Sequence, residues 1–285
     1  MPAFAFIRLN RQEPPVPTLD AATCADLMDE LTGITMQAAA AILDFATDAG
    51  LHSKADGSPV TAADEAAEVI ICTGLKRLAP NMPVISEEQA AREKPKPITG
   101  GSYFLVDPLD GTREFIAGRD EYTINIALMT DGAPLFGIIC APALGHLWRG
   151  IVGRGAARFS FAPLIEAPTA IHTRPRPASE AVVMVSRSHL EARTKSYVDG
   201  LPGAKLVQSG SSIKFCRLAE GSADLYPRLA PTHDWDIAAG HAILKAAGGN
   251  VTAPDGTPLV YGTNDLLIPA FLAWGDAASA VPVKD

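Results

Sequence analysis

The hydrophobic and polar positions in the first third of the chain predict two helices and a short strand. Residues 19–49 are rich in Ala, Leu and Met and predict the first helix, and residues 62–78 predict the second. Residues 82–86 are a short apolar run that is typical of a strand. Two glutamates, Glu87 and Glu88, follow directly at the end of this strand.

A series of strands is predicted for the middle of the chain. The strand at 103–106 runs into the segment 107–112, DPLDGT, which we predict to be a turn, because Pro108 cannot donate within a central strand and Asp-Gly breaks strands. Three further apolar runs with Gly-containing turns predict the strands of a meander, at 124–129, 135–140 and 147–152. The proline-rich segment 162–178 is irregular and suits a junction between subdomains.

Strands and helices alternate in the second half of the chain. The predicted strands are 181–186, 205–208 and 223–226, and the predicted helices are 191–201, 212–220 and 235–247. This alternation favours an α/β layer. We therefore expect an N-terminal extension at 1–18, an α+β subdomain at 19–160 and an α/β subdomain at 161–285.

Composition and charge limit the classes of function that the chain can have. The 285 residues are 47% hydrophobic and 20% charged, which suits a folded chain with a large core. The formal net charge is −8, and the absence of Lys/Arg runs argues against binding to a nucleic-acid polymer. An acidic protein that binds a phosphate ester needs bound cations or a small basic pocket.

The cysteines and the apolar runs indicate a cellular compartment. Cys24, Cys72, Cys140 and Cys216 are widely spaced, which suggests neither a zinc site nor a disulfide framework, and we expect reduced, buried thiols. No apolar run approaches the roughly 18 residues of a membrane span, and the first residues lack the apolar core of a secretory signal. A cytoplasmic protein is therefore expected.

The DPLDGT segment is the first candidate for chemistry. Asp107 and Asp110 lie three residues apart in a predicted turn, and the carbonyl of Leu109 between them is free to point inward. These oxygen ligands suit Mg²⁺ better than Zn²⁺. A capped turn with solvated aspartates is the alternative.

Other carboxylates lie at the ends of predicted elements. Glu87 follows a strand, and its alternative role is that of a solvated residue. Asp64 and Asp236 each lie at a helix start, where capping is the ordinary role of an aspartate. No single one of these residues decides the function.

Taken together, four segments resemble the inositol monophosphatase superfamily. They are PVTAADEAAE at 59–68, SEE at 86–88, VDPLDGTREF at 106–115 and WDIAAGHAILKAAGG at 235–249, in the order of the superfamily's motifs. The resemblance implies an α/β fold in the form of a layered αβαβα sandwich. Its α+β N-terminal half would carry a mostly antiparallel sheet, and its α/β C-terminal half would close over the site.

The resemblance also implies a metal site and a mechanism. The implied ligands to two or three Mg²⁺ ions are Glu87, Asp107, the Leu109 carbonyl, Asp110 and Asp236. Asp64 would accept a hydrogen bond from Thr112, whose hydroxyl helps to orient or deprotonate the attacking water. Water would attack phosphorus without a covalent enzyme intermediate. Inhibition by Li⁺ and Ca²⁺ is expected.

Within the superfamily, residues 209–236 resemble the 3′(2′),5′-bisphosphate nucleotidases of cysteine metabolism. Those enzymes remove the 3′-phosphate of 3′-phosphoadenosine 5′-phosphate and yield AMP. Leu229 and Arg228 occupy the place where inositol phosphatases carry an acidic residue, and they suit a purine face and a second phosphate. The predicted substrate contacts are Lys54, Gly111, Thr112, His189, Ser211, Ser212, Lys214 and Arg228.

The alternatives for these contacts are ordinary ones. Lys214 and Arg228 could be surface charges, and His233 and His241 are interpreted as structural. The rival enzymatic functions act on inositol phosphate, histidinol phosphate or fructose 1,6-bisphosphate. A silent metal or nucleotide sensor would have lost part of the constellation, whereas all its residues are present here.

The expected partner is a small nucleotide bisphosphate, with no nucleic-acid polymer and no transmembrane segment. Homodimer formation and loose association with the inner membrane stay open.

Overall fold

A computed structural model describes most of the chain beyond its first 23 residues. The described residues are 24–45, 52–53, 59–95, 98, 100–161, 167–177, 180–188, 190–279 and 283. The predicted N-terminal extension and two predicted substrate contacts, Lys54 and His189, lie outside them.

The described residues form α-helices that match most of the sequence patterns. They are α1 Cys24–Asp44, α2 Ala62–Leu78, α3 Glu87–Arg92, α4 Thr112–Ile116, α5 Ala192–Asp199, α6 Ile213–Ala219 and α7 Asp234–Ala246, with a 3-10 turn at Ala277–Ser279. Helix α2 has the predicted bounds, because the Thr61 hydroxyl accepts the N–H groups of Ala63 and Asp64 at 3.2 and 3.4 Å. Both ends of the helix predicted at 19–49 lie outside the described residues.

The strands fall into two large sheets and two small pairs. They are β1 His52–Ser53, β2 Pro59–Val60, β3 Val84–Ser86, β4 Ser102–Asp110, β5 Thr123–Thr130, β6 Ala133–Ala141, β7 His146–Ile151, β8 Gly155–Ser160, β9 Thr169–Ile171, β10 Val182–Ser186, β11 Lys205–Ser209, β12 Leu225–Arg228, β13 Thr232–His233, β14 Asn250–Thr252, β15 Leu267–Ile268 and β16 Phe271–Trp274.

The first large sheet has seven strands in the order β3-β4-β5-β6-β7-β8-β9. Among these described strands the β3–β4 pair is parallel, and each later strand pairs antiparallel with its neighbour. The prediction of a mostly antiparallel sheet in the first half is confirmed.

The second large sheet has five strands in the order β11-β10-β12-β16-β14. Strands β11, β10 and β12 run parallel, as their intervening helices predict, and β16 is antiparallel to both of its neighbours. The α/β class is therefore confirmed.

The helices and the two large sheets stack as five layers, with hydrophobic cores between them. Alternate residues of β4 face opposite sides of the first sheet: Phe104 and Val106 pack with α1 and α2, and Tyr103 and Leu105 pack with α6 and α7. The same central helices bury the inner face of the second sheet, and α5 covers its outer face through Val198. This is the αβαβα sandwich that the resemblance implied; the division at residues 160 and 161 stays a prediction.

One predicted turn is wrong. The segment 107–110 continues strand β4, and Pro108 is accommodated because the pairing with β5 jumps from Asp107 to Asp110. Strand β3 has already ended, since its last partner in β4 is Val106. The proline therefore lies where no neighbouring strand needs its missing N–H.

Candidate active site

A cleft of about 250 Å³ opens where the end of β4, the end of β10 and the start of α7 meet. Its lining is polar and largely acidic. The lining residues are Glu87, Asp107, Leu109, Asp110, Gly111, Thr112, Arg113, Glu114, Ser186, Ser188, Arg228, His233 and Asp236.

Three carboxylates converge in this cleft. Glu87 begins α3, Asp107 lies in β4, and Asp236 lies in the first turn of α7. One carboxylate oxygen from each of the three lies within 4.8 Å of those from the other two. Three negative charges at this spacing repel one another unless a cation neutralises them. An all-oxygen set of this kind suits Mg²⁺ or another hard divalent cation.

Asp110 adds a fourth carboxylate beside the other three. Burial raises the pKa of Asp110 to about 7, with a further contribution from the charge of Asp236, whereas Lys214 acts in the opposite direction. Without a cation, Asp110 is harder to ionise than an ordinary aspartate. A bound cation would stabilise its ionised form. The predicted ligands Glu87 and Asp110 and their neighbours thus fit a divalent cation.

Backbone and side-chain hydrogen bonds orient two of these carboxylates. One oxygen of Asp107 accepts the N–H of Leu109 at 3.0 Å. One oxygen of Asp236 accepts the N–H of His233 at 2.9 Å and the hydroxyl of Thr232. Asp236 therefore caps α7, as the sequence suggested, and also faces the cleft.

The buried Glu68 binds residues on either side of Glu87. Its carboxylate accepts the Ser86 hydroxyl at 2.6 Å and the N–H of Gln89 at 3.0 Å, and Arg92 pairs with it at 3.2 Å. The residues on both sides of Glu87 are thereby held. Sequence reasoning did not single out Glu68, although it closes the segment PVTAADEAAE.

Asp64 and Thr112 lie within hydrogen-bond distance, as the resemblance implied. The Thr112 hydroxyl is 3.2 Å from Oδ1 of Asp64 and 3.2 Å from the carbonyl oxygen of Leu109. The second oxygen of Asp64 accepts the N–H and the hydroxyl of Thr61 at 2.8 and 2.6 Å. One oxygen of Asp64 therefore caps α2, and the other faces Thr112.

Gly111 forms the sharp turn between Asp110 and Thr112. Its φ of 92° lies in the left-handed region, and an added Cβ would lie 3.1 Å from the carbonyl oxygen of Glu121. This position therefore requires glycine, which brings the backbone of the turn to the wall of the cleft.

A smaller pocket of about 40 Å³ adjoins the cleft and is lined by both cationic and anionic side chains. It shares Asp110, Arg228 and Asp236 with the cleft. Its other lining residues are Ser211, Ser212, Lys214, Phe215, Tyr226, Thr232 and Ile237. An anion here would lie next to the carboxylate cluster.

Lys214 and Arg228 supply the positive charge of this pocket. Lys214 is buried, its ammonium donates to the carbonyls of Ser209 and Ser211, and it lies 5.0 Å from the ring centroid of Tyr226. Burial lowers the pKa of Lys214 to about 8. Arg228 donates to the carbonyl of Pro231 at 3.4 Å, and its Nε is buried without a hydrogen-bond partner. The interpretation of Lys214 as a surface charge is therefore wrong.

The remaining residues predicted to contact the substrate differ in whether they face a pocket. The hydroxyl of Ser212 is buried and already bonded to Asn125 at 2.6 Å, whereas Ser211 lines the small pocket with a left-handed φ of 42°. Leu229 packs with Ala270 and does not line either pocket, so it does not offer the purine face that was expected.

His241 and the cysteines behave as structural residues. His241 is buried, with Nδ1 2.9 Å from the Tyr261 hydroxyl and Nε2 3.1 Å from Asn250. The cysteines are free and buried, as predicted: Cys24, Cys72, Cys140 and Cys216. None of the helices in the described part of the chain combines the length and apolar composition that a membrane span requires.

Comparison with known proteins agrees with the fold. Residues 27–281 match the model of the inositol monophosphatase family. The crystal structure of CysQ from Bacteroides thetaiotaomicron superposes with a TM-score of 0.72 at 35% identity, over 86% of this chain and 96% of that chain. The chain therefore belongs to the inositol monophosphatase family.

Other relatives refine this placement. The 3′(2′),5′-bisphosphate nucleotidase CysQ of Escherichia coli (strain K12) is 42% identical over 159 residues, which are 56% of this chain and 62% of that relative's length. The inositol monophosphatase of Anabaena (Nostoc) sp. PCC 7120 has a TM-score of 0.71 at 23% identity, over 90% of this chain and 94% of that one. The second likeness concerns the fold alone.

Proposed function

We propose that this protein is a Mg²⁺-dependent phosphomonoesterase that converts 3′-phosphoadenosine 5′-phosphate and water to AMP and phosphate. One observation carries the proposal: the acidic cleft adjoins a pocket that contains Lys214 and Arg228, and the two share Asp110, Arg228 and Asp236. A substrate with two phosphates needs such a pair of sites. The name of the Escherichia coli relative supports the same substrate.

The carboxylate cluster fits the cation that this reaction needs. Glu87, Asp107, Asp110 and Asp236 would hold Mg²⁺, with the carbonyl of Leu109 as a further oxygen ligand. Bound Mg²⁺ supplies neutralisation of the phosphate dianion, acidification of the attacking water and stabilisation of the leaving alkoxide.

Asp64 and Thr112 orient the attacking water and assist its deprotonation. The Thr112 hydroxyl has a single hydrogen, which lies within reach of Asp64 at 3.2 Å. When Thr112 donates to Asp64, its lone pair is free to accept a hydrogen bond from water in the cleft. Thr61 fixes the other oxygen of Asp64, so the acceptor keeps one orientation.

Lys214 and Arg228 are proposed to bind the second phosphate. Both line the small pocket, and a guanidinium can bind a phosphate through two parallel hydrogen bonds. The unpartnered Nε of Arg228 is one donor available for that purpose. Ser211, just before α6, also lines this pocket and is proposed to contact the same phosphate.

Phosphate release from a panel of substrates tests this proposal. The panel is 3′-phosphoadenosine 5′-phosphate, adenosine 3′-phosphate, inositol 1-phosphate, histidinol phosphate and fructose 1,6-bisphosphate, each with Mg²⁺. We expect the highest kcat/KM for the nucleotide bisphosphate. A higher value for a polyol or amino-alcohol phosphate would retain the metal site but refute the assignment of the second phosphate to Lys214 and Arg228.

A further inference from the structure

A loop of the second half, residues 209–212, is held by a carboxylate of the first half. Glu121 accepts the Ser209 hydroxyl at 3.1 Å and the N–H of Gly210 at 3.2 Å, and it forms an ion pair with Arg187. These three donors come from two different segments of the second half. Glu121 thus joins the segment before β5 to the loop that begins the phosphate pocket.

The C-terminal end of the 209–212 loop is held by β5, and the carbonyls of the loop are held by Lys214. Ser212 is bonded to Asn125 at 2.6 Å and lies 2.8 Å from the Thr123 hydroxyl, so β5 holds its side chain. Ser211 between the two anchors has a φ of 42°, a left-handed conformation that costs a non-glycine residue energy. The ammonium of Lys214 bonds the carbonyls of this strained loop. The conformation of the 209–212 loop therefore depends on its hydrogen bonds to Glu121 and to β5.

Packing leaves no room for a side chain at position 210. A Cβ at this position would lie 2.7 Å from the carbonyl oxygen of Glu121 and 2.8 Å from Cγ of Glu114. Glu114 is itself buried and accepts the Ser188 hydroxyl at 2.5 Å. The loop is thus pressed against two carboxylate side chains, both near the Asp110–Thr112 turn.

The charge of Glu121 also acts on the phosphate pocket. Burial alone would raise the pKa of Glu121, but the hydrogen bonds from Arg187 and Gly210 outweigh it and lower the pKa below its usual value. Glu121 is therefore ionised at neutral pH. Its charge, with that of Glu114, partly offsets the effect of burial on Lys214.

We propose that Glu121 is a positioning residue that shapes the 209–212 loop and the Lys214 pocket, and so sets the preference for a substrate with a second phosphate. Glu121 does not line the cleft or the pocket and acts through Ser209, Gly210 and Lys214. This inference rests on the proposed function, since it assigns the second phosphate to the same pocket.

Steady-state kinetics of Glu121→Gln test the inference. The substitution preserves size but removes the charge, so we expect KM for 3′-phosphoadenosine 5′-phosphate to rise roughly tenfold with kcat within about twofold. KM for adenosine 3′-phosphate should change less than about twofold, because it lacks the second phosphate. The exposed neighbour Asp120→Asn is the matched control and should behave as wild type. Equal rises in KM for both substrates would overturn the inference.

Ser209→Ala provides a milder variant in case Glu121→Gln does not fold. It removes one of the donors to Glu121, and we expect the same selective rise in KM at a smaller size. An unchanged ratio of the two KM values in this variant, with Glu121→Gln unfolded, would refute the role.

A second measurement separates this inference from the proposed function. If wild-type protein releases no phosphate from the bisphosphate, the proposed function fails, and hydrogen exchange then decides the role of Glu121. We expect the amides of residues 209–212 to exchange at least about tenfold faster in Glu121→Gln than in Asp120→Asn. Equal exchange rates would overturn the positioning role.

Discussion

The hydroxyl of Thr112 lies 3.2 Å from Oδ1 of Asp64, although the two residues are 48 positions apart in the chain. Asp64 reaches this position because its other oxygen caps α2 through Thr61. Thr112 reaches it because Gly111 turns the chain in the left-handed region. Two local turn structures thus bring this hydrogen-bonded pair together.

Removal of the Thr112 hydroxyl should slow the chemical step. In Thr112→Ala we expect kcat to fall by roughly two to four orders of magnitude, because water loses its route to Asp64, while KM stays within about threefold. Thr112→Ser retains a hydroxyl and should recover most of the rate. Steady-state kinetics check this, and a rise in KM with normal kcat would contradict the proton-handling role.

Loss of one carboxylate in the cluster should affect metal binding and turnover together. In Asp110→Asn we expect kcat to fall by roughly a thousandfold or more and the Mg²⁺ concentration for half-maximal rate to rise. Asp199→Asn, on the exposed surface of α5, is a matched control. Near-normal turnover in Asp110→Asn would exclude Asp110 from the site.

Arg228 should distinguish substrates by their second phosphate. In Arg228→Ala we expect kcat/KM for 3′-phosphoadenosine 5′-phosphate to fall by roughly ten- to a hundredfold, the value of a charged hydrogen bond, and to fall less for adenosine 3′-phosphate. The measurement is kcat/KM for both substrates in both proteins. Equal losses would mean that Arg228 does not bind the second phosphate.

The buried His241 predicts a loss of stability in acid. Burial lowers the pKa of His241 to about 4 from an ordinary value of 6.5. The unfolded chain therefore binds a proton first as the pH falls, so the free energy of unfolding decreases between pH 6.5 and 4, by at most roughly 3 kcal/mol. Urea unfolding across this range should show a shallower decrease for His241→Gln. Parallel curves for the two proteins would contradict this contribution.

Local patterns were sufficient to predict the elements that carry the metal site. The helix at 62–78 is bounded by a capping box, and Asp236 lies in the first turn of a helix that its apolar run predicts. Asp107 lies inside β4, because the strand continues through the segment predicted as a turn. The resemblance, rather than periodicity, brought these segments to one point. The structure places the carboxylates of Glu87, Asp107 and Asp236 together, while their catalytic roles stay predictions.

The contacts between the halves could not be predicted in this way. Glu121 bonds Gly210 across 89 residues, and Ser212 bonds Asn125 across 87. In the sequence, Glu121 looks like any solvated carboxylate, because its partners are defined only by the tertiary structure. Strands β14 to β16 were missed for a related reason: they are two to four residues long, too short to show a period.

The protein is proposed to remove the 3′-phosphate of a nucleotide bisphosphate with the help of Mg²⁺. The most direct measurement incubates chelator-treated protein with 3′-phosphoadenosine 5′-phosphate, titrates Mg²⁺ and quantifies both nucleotide and phosphate. We expect AMP and phosphate in equal amounts, only when Mg²⁺ is present. Adenosine 3′-phosphate as the product, or release that is independent of Mg²⁺, would contradict this proposal.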